Sequence, residues 1–458
     1  MKFQQAAKCT NKVYQVLKKL DFGGTSYPGK LLAKFYPKFM REAQNYVTSY
    51  KFAITGTNGK TTTSGLLATI LKNAEKTVVH NELGANMPNG ILTSLALGLN
   101  ENFVKFGANS CVDNFVIEVD EAYFARVNKQ LQFDYLLVTN LFRDQLDRYG
   151  EMEATKNKIK EGIAQNPNLK LILNADDASL CGIDDIEGMP EIKKIYWGFD
   201  KIEFVDYDSR TSSSAEVVYC PKCNEPLDYK KRFYSQLGHW HCKCGVERPV
   251  ADVSADVKVF KNYSFLTIRY EGKTLMFKLS LGGLYNAYNA LGAIACALVA
   301  GVDRKAIATA LENYRPAFGR AETTMVNGRE VTFYLIKNPV GATEVLRSVR
   351  HLKNAKLLIS INDNYADGRD VSWLWDTDFE VLANFPNKIY ITGNRADDMA
   401  LRLKYAGFNP SNMVIDNDIK KTFYYALDEV DCNEQLVVMP SYTSLLTINK
   451  MIKSRPKS

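Results

Sequence analysis

The 458-residue chain carries 58 Lys and Arg against 51 Asp and Glu, a formal charge of +7, and 46% of its residues are hydrophobic. That is an ordinary globular composition, with length for two or three domains and ample core. No apolar run reaches the roughly 18 residues of a membrane span, and lysines interrupt any signal-like core at the N-terminus, so a cytosolic protein is expected and its nine cysteines point to metal or burial rather than disulfides.

The first expected elements are two helices in a basic leader. Residues 1–50 hold nine Lys and Arg but only Asp21 and Glu42 as acids, so the excess in this segment equals the charge of the whole chain. Phe3, Ala7, Val13, Leu17 and Leu20 mark one apolar stripe; Leu32, Phe35, Phe39 and Ala43 mark another. A basic amphipathic leader is either a solvated face on docked helices or a surface for an anionic membrane or ligand.

A short apolar strand, Tyr50 to Ile54, then runs into Thr55-Gly56-Thr57-Asn58-Gly59-Lys60-Thr61-Thr62-Thr63 and a helix. Strand, glycine turn, Lys-Thr and helix together build a phosphate cradle. The helix N-terminus and Lys60 supply positive charge, and the Thr61 hydroxyl is a ligand for Mg²⁺. Only two residues separate Gly56 from Gly59, where the general P-loop has four.

Strands and helices alternate from there, with strands expected at Thr77–His80, Phe115–Val119, Tyr135–Thr139 and Leu169–Leu173. This is the pattern of a parallel sheet covered on both faces. Polar groups follow the last three of these strands: Glu118, Asp120 and Glu121; then Thr139-Asn140 and Arg143-Asp144-Gln145; then Asn174-Ala-Asp176-Asp177. Together they mark a ligand crevice along one sheet edge, with Glu118 as a Mg²⁺ ligand; the competing reading makes Asp120 or Glu121 a plain helix cap.

The alternation is expected to break near residue 200. Cys220-Pro-Lys-Cys223 and Cys242-Lys-Cys244 are paired-cysteine knuckles, suited to a closed, structural Zn²⁺ site of four thiolates, with His239 and His241 as possible substitutes. Hairpin-like strands follow at 257–279, then helices at about 284–300 and 303–314, and 316–320 reads as an inter-domain hinge. A second α/β run has strands at Val331–Ile336, Lys356–Ile361, Lys388–Ile391 and Gln435–Met439. After its second strand, Asp363, Asp367 and Asp370 precede Trp373 and Trp375 in a loop too polar for core and too aromatic for a linker.

GTNGKTTT, the Glu118 strand end, TNLFRDQLDRYGE, LNADDA, GLYNAYNALGAIA and FGRAE occur in the order found in the Mur ligases and folylpolyglutamate synthase, which the chain resembles over about residues 48–455. The resemblance implies an α/β fold: a helical basic leader (1–47), a Mur-ligase-like P-loop ATPase domain (48–316) with an inserted zinc ribbon (216–250), and a Rossmann-like C-terminal domain (317–458). It also implies ATP, Mg²⁺ and Zn²⁺ as cofactors, and phosphorylation of a carboxylate followed by attack of an amine. By position, Gly56, Thr57, Asn58, Gly59, Lys60, Thr61 and Thr62 should bind phosphate, and Asn286, Asn289 and Arg320 the nucleotide. Lys156 falls roughly where Mur ligases carry a carbamylated lysine.

Departures narrow the resemblance. Gln145 and Tyr285 replace histidines, and Lys337-Asn338-Pro339 stands for His-Asn-Pro. A short leader replaces the UDP-sugar domain. With the cysteine insertion, NDNYADGRDVSWLWD and PSYTSLL, these features resemble the branch that amidates the α-carboxyl of D-glutamate in lipid II, as a heterodimer with a glutamine amidotransferase (GatD-like) subunit. In that branch the acidic loop holds an essential residue: Asp370, with Asp367 and Asp363 as rivals. The alternatives are an amino-acid-adding Mur ligase or folylpolyglutamate synthase-like enzyme, and a nucleic-acid-binding ATPase using the ribbon.

Overall fold

The structure, a computed structural model, describes residues 2–20, 26–82, 85–142, 152–205, 219–316, 319–350, 352 and 354–453. Arg143, Asp144, Gln145, Phe318 and His351, along with 216–218 of the insertion, lie outside them. The described residues divide into two compact units, the first holding those up to Phe142 and Glu153–Tyr314, the second Met152 and those from Arg315 on.

The first unit is built on β1 (Val47–Thr55), β2 (Val78–His80), β3 (Val112–Glu118), β4 (Tyr135–Val138), β5 (Lys170–Asn174) and β6 (Lys194–Phe204). Beyond a small antiparallel hairpin, β7 (Asp228–Tyr234) with β8 (Leu237–His241), come β9 (Val253–Val259), β10 (Ser264–Tyr270) and β11 (Lys273–Leu279). The nine-stranded order is β11-β10-β9-β6-β5-β4-β1-β3-β2. The strands from β2 to β9 pair in parallel, and β10 and β11 complete an antiparallel edge. Tyr-Leu-Leu-Val in β4 is buried throughout, as a strand covered on both faces must be. The expected break near 200 is therefore corrected. β6 crosses that point, β9 pairs with it in parallel, and the hairpin strands extend the same sheet.

Two leader helices are present, Phe3–Lys19 and Ser26–Phe35, with a short third at Phe39–Ala43. The first apolar stripe holds for only half its length. Phe3 stacks on Phe39 and Tyr46 and pins the N-terminal half, so Phe3 and Ala7 are buried. Farther along, Val13 and Leu17 are half-buried and Leu20 is exposed. In the second stripe Leu32, Phe39 and Ala43 are buried and Phe35 is exposed.

The second unit has β12 (Arg320–Val326), β13 (Arg329–Tyr334), β14 (Ala355–Ser360), β15 (Ile389–Thr392), β16 (Met413–Ile415) and β17 (Gln435–Pro440), in the order β12-β13-β17-β14-β15-β16. All pairs are parallel except β12 with β13. Arg320, the last residue read as hinge from sequence, opens this antiparallel edge strand. Buried side chains cover both faces: Leu357, Ile359 and Val437 on one, Leu358, Leu436 and Val438 on the other.

Candidate active site and metal centre

β5, β4, β1 and β3 are neighbours, so their C-terminal ends fall on one edge, as the sequence pattern required. The turn after β1 is held tightly there. Gly56 and Gly59 have φ of +118° and +87°, and a Cβ on Gly59 would lie 1.9 Å from Asn289 Oδ1. The Gly56 N–H donates to Glu121 Oε1 (3.0 Å), the Thr57 N–H to the Asn140 carbonyl (2.9 Å) and the Asn58 N–H to Asn140 Oδ1 (2.9 Å). The Thr57 hydroxyl donates to the Phe142 carbonyl. Three loop N–H groups are thus spent on protein acceptors. An anion at this turn would meet chiefly the first turn of the helix Lys60–Asn73, whose N-cap Gly59 supplies no capping side chain.

Lys60 Nζ donates to the Gly56 carbonyl (2.6 Å) and to Glu121 (2.7 Å). Burial pulls the Lys60 pKa down, but Glu121, Asp120 and Glu118 together hold it above the usual lysine value. Thr61 Oγ1 donates to Glu118 Oε2 (2.7 Å), whose Oε1 accepts from Asn86 Nδ2 (2.9 Å). Asn81 brackets the Glu118 peptide on both sides (2.8 Å each). Asp120 caps the turn Glu121–Tyr123, so the capping reading is right for Asp120, while Glu118 faces Thr61. Glu118 and the Thr61 hydroxyl, 2.7 Å apart, offer two oxygens to a cation such as Mg²⁺, while Glu121 pairs with Lys60.

The other polar strand ends divide. Thr139 Oγ1 donates to the Asn58 carbonyl (2.8 Å), and Asn174 Nδ2 to the Thr139 carbonyl (3.1 Å), so both brace the loop. Asp176 is wholly buried and accepts from Arg248 (2.7 Å), the Tyr288 hydroxyl (2.8 Å) and the Phe199 N–H (3.0 Å). Asp177 caps Ala178–Leu180 and takes the Leu141 N–H. These two aspartates are structural ties rather than crevice-lining groups. Asn289 lies against the loop, whereas Asn286 donates to the Gly282 carbonyl (2.8 Å). Lys156 is buried and donates to the Cys181 carbonyl (2.6 Å); burial lowers its pKa.

Cys220, Cys223, Cys242 and Cys244 bring all four sulfurs within 4.8 Å of one another. The cluster sits at the end of the β7–β8 hairpin, with Cys220 and Cys244 sulfurs 3.8 Å apart and those of Cys223 and Cys242 3.5 Å apart. The Val246 N–H chiefly lowers the Cys244 thiol to about 7, while at Cys223 the pull of the Glu225 N–H is outweighed by burial and the neighbouring sulfurs, which push it up to about 12. Thiols this crowded ionise together only around a cation, so the set can hold a metal. His239 turns instead to the Phe199 carbonyl (2.8 Å).

Comparison with known proteins places the chain in a family. A lipid II isoglutaminyl synthase (glutamine-hydrolyzing) subunit MurT from Streptococcus pneumoniae is 34% identical over 450 residues, covering 96% of this chain and 94% of that one. The chain belongs to the MurT family. The subunit of the same name from Staphylococcus aureus (strain COL) is 34% identical, covering 92% of this chain and 91% of its own length. The Mur ligase middle domain matches residues 54–218 and the MurT ligase C-terminal domain residues 335–445. A pseudomurein peptide ligase type C from Methanothermus fervidus shares the fold, with a TM-score of 0.69 at 20% identity over 93% of this chain and 84% of that one. So does MurF ligase from Thermotoga maritima, solved with ADP (TM-score 0.61, 14% identity, 92% and 83%). The Mur ligase fold implies ATP and Mg²⁺, and the word "subunit" implies a partner.

The MurT C-terminal match covers the acidic loop. There Asp367 is buried and accepts from the Thr443 N–H (2.7 Å) and hydroxyl, and Asp363 pairs with Arg395 (2.8 Å). Asp370 is half-buried and accepts from the Ser372 N–H (2.8 Å). Trp373 packs on the core and anchors the loop; Trp375 is exposed, against Tyr405. Asn338 caps the helix Pro339–Val349, and Arg320 opens β12. Sequence reasoning missed Asn81, Asn86 and the Lys60–Glu121 pair; the asparagines follow β2, a strand end that carried no motif.

Proposed function

We propose that this chain is the synthase subunit of a glutamine-hydrolysing lipid II isoglutaminyl synthase. It activates the α-carboxyl of D-glutamate in the lipid II stem peptide and amidates it with ammonia from a partner amidotransferase (GatD-like) subunit. The observation that carries this reading is end-to-end similarity to subunits of that name, in a chain that gathers Lys60, Thr61 and Glu118. A 2,6-diaminopimelate-adding ligase from Syntrophomonas wolfei aligns over only 54% of its length, so the amino-acid-adding alternative is disfavoured.

In this reading Lys60, Thr61 and Thr62 at the start of the helix bind the ATP phosphates, the Gly56–Gly59 turn is held in shape around them, and Asn289 and Asn286 contact the nucleotide. A carboxylate oxygen of the substrate attacks the γ-phosphorus, the bond to the β–γ bridging oxygen breaks, and ADP leaves. Lys60 and the helix N-terminus stabilise the transferring charge. Thr61 and Glu118 would hold Mg²⁺, which when bound neutralises the phosphate oxygens. Ammonia then attacks the acyl carbon, the C–O bond to phosphate breaks, and a proton is released. Zn²⁺ in the four-cysteine site is structural, because a closed thiolate set leaves no position for substrate.

The test is mass spectrometry of lipid II incubated with this chain, Mg·ATP and high ammonium. Conversion of the glutamate acid to its amide is expected. No conversion, even with the amidotransferase subunit and glutamine present, would overturn the reading.

A further inference from the structure

The leader helices leave a surface that catalysis does not use. The helices Phe3–Lys19 and Ser26–Phe35 both pack on the helix Pro88–Phe106 and on each other, forming one layer. In the first, the buried side is Phe3, Ala6, Ala7 and Thr10. At 100° per residue, Lys8, Lys12 and Lys19 point the opposite way, with Val16 and Leu20 beside them. In the second, Pro28, Gly29 and Leu32 are buried, and Tyr27, Lys30 and Lys34 point away. These lysines are exposed, and so are the large apolar residues among them: Val16 at 56%, Leu20 at 65%, Tyr27 at 54% and Phe35 at 68%. Neither leader helix carries an acid; Glu42, in the short helix that follows them, accepts from the Tyr36 hydroxyl (2.8 Å), and Glu101 is exposed on the helix Pro88–Phe106.

A solvated face would carry mixed charge and few large apolar side chains. This one is of a single sign, with aromatic and aliphatic groups set among the lysines, which is the chemistry that recognises an anionic lipid surface. The layer also reaches the catalytic edge. A Cβ on Gly29 would lie 1.8 Å from the Asn89 carbonyl, so the second helix is pressed onto the start of the helix Pro88–Phe106. Asn89 is three residues from Asn86, which holds Glu118.

We propose that the outward face of the leader helices docks on a bilayer containing anionic phospholipid, bringing the phosphorylation site to a lipid-linked carboxylate. The docking rests on charge and exposure alone; its purpose rests on the lipid II reading above.

The full chain is sedimented with vesicles of phosphatidylcholine alone or with phosphatidylglycerol, without ATP or lipid II. Binding is expected only to the anionic vesicles and is expected to fall with salt. The triple variant Lys12→Gln, Lys19→Gln, Lys34→Gln should weaken it on the order of a hundredfold. Val16→Ser with Leu20→Ser should weaken it at constant charge. Removing the exposed Lys258, Lys273 and Lys278, at the opposite edge of the sheet, should leave binding unchanged. Equal binding to both vesicle types, or equal loss from the two lysine triples, overturns the proposal. Because no lipid II is present, failure here leaves the ligase reading intact, and loss of amidation with normal vesicle binding would count against that reading alone.

Discussion

At the scale of single residues, the site gathers more negative than positive charge. Glu118, Asp120 and Glu121 share one ammonium, Lys60, and Glu118 also takes a hydrogen bond from Thr61. Glu118→Gln keeps the shape and the Asn86 contact side but removes a charge. It is expected to lower ATP-dependent amidation by about a hundredfold or more while shifting the melting temperature little, and raising Mg²⁺ should not restore full activity. His80 makes a different case. Its ring is within 3.1 Å of Ser64 Oγ, and burial lowers its pKa to about 4, below the usual 6.5. The unfolded chain therefore binds this proton more tightly. The contribution to stability is complete above about pH 6.5 and is lost as pH falls through about 4, roughly 2 kcal/mol for a ring still partly exposed. Melting of the wild type and His80→Gln across pH 4 to 6.5 checks this: the variant should show a flatter dependence. Glu118 was legible in the sequence because a strand end beside a P-loop has a known use. The burial of His80 was not, since it depends on neighbours from other strands and helices.

At the scale of elements, the cysteine ribbon is tied to the nucleotide-binding framework. Arg248, just past the second knuckle, meets Asp176 at the end of β5, and Asp176 also holds Tyr288, next to Asn289. A metal that fixes the ribbon thereby fixes the helix lying over Gly59. Removing it with a strong chelator is expected to lower the melting temperature, and to raise the KM for ATP more than it lowers kcat; Zn²⁺ should restore both. An unchanged melting temperature after verified metal loss would sink the structural assignment. The cysteine spacing announced this centre, but the tie to Asp176 needs strands far apart in sequence. Strand β6 was missed for a related reason. Lys194–Phe204 carries Lys194, Asp200, Lys201 and Glu203 among its apolar residues, so its composition reads as a boundary even though it pairs on both sides. β12 was hidden the same way, being an edge strand of Arg, Glu and Thr.

At the scale of the molecule, the two-domain α/β architecture was legible because both P-loop and strand periodicity are local signals. The assignment of the loop aspartates was not, because Asp363, Asp367 and Asp370 look alike until their partners are known. Asp367 is buried and spent on Thr443 across the second unit, whereas Asp363, paired with Arg395, and Asp370, which holds the Ser372 N–H, are both half-buried. Asp367→Asn should therefore act on the fold, costing about 1–3 kcal/mol through a buried, charge-assisted clamp, with a lower melting temperature and a proportionate loss of activity. Asp370→Asn should leave melting unchanged yet lower glutamine-driven amidation at least about tenfold. Ammonium in place of glutamine then locates the lost step: rescue places Asp370 on the nitrogen-delivery side with the partner subunit, and no rescue places it on the carboxylate being activated. A drop in melting temperature for Asp370→Asn as large as for Asp367→Asn would remove its claim to be the essential residue.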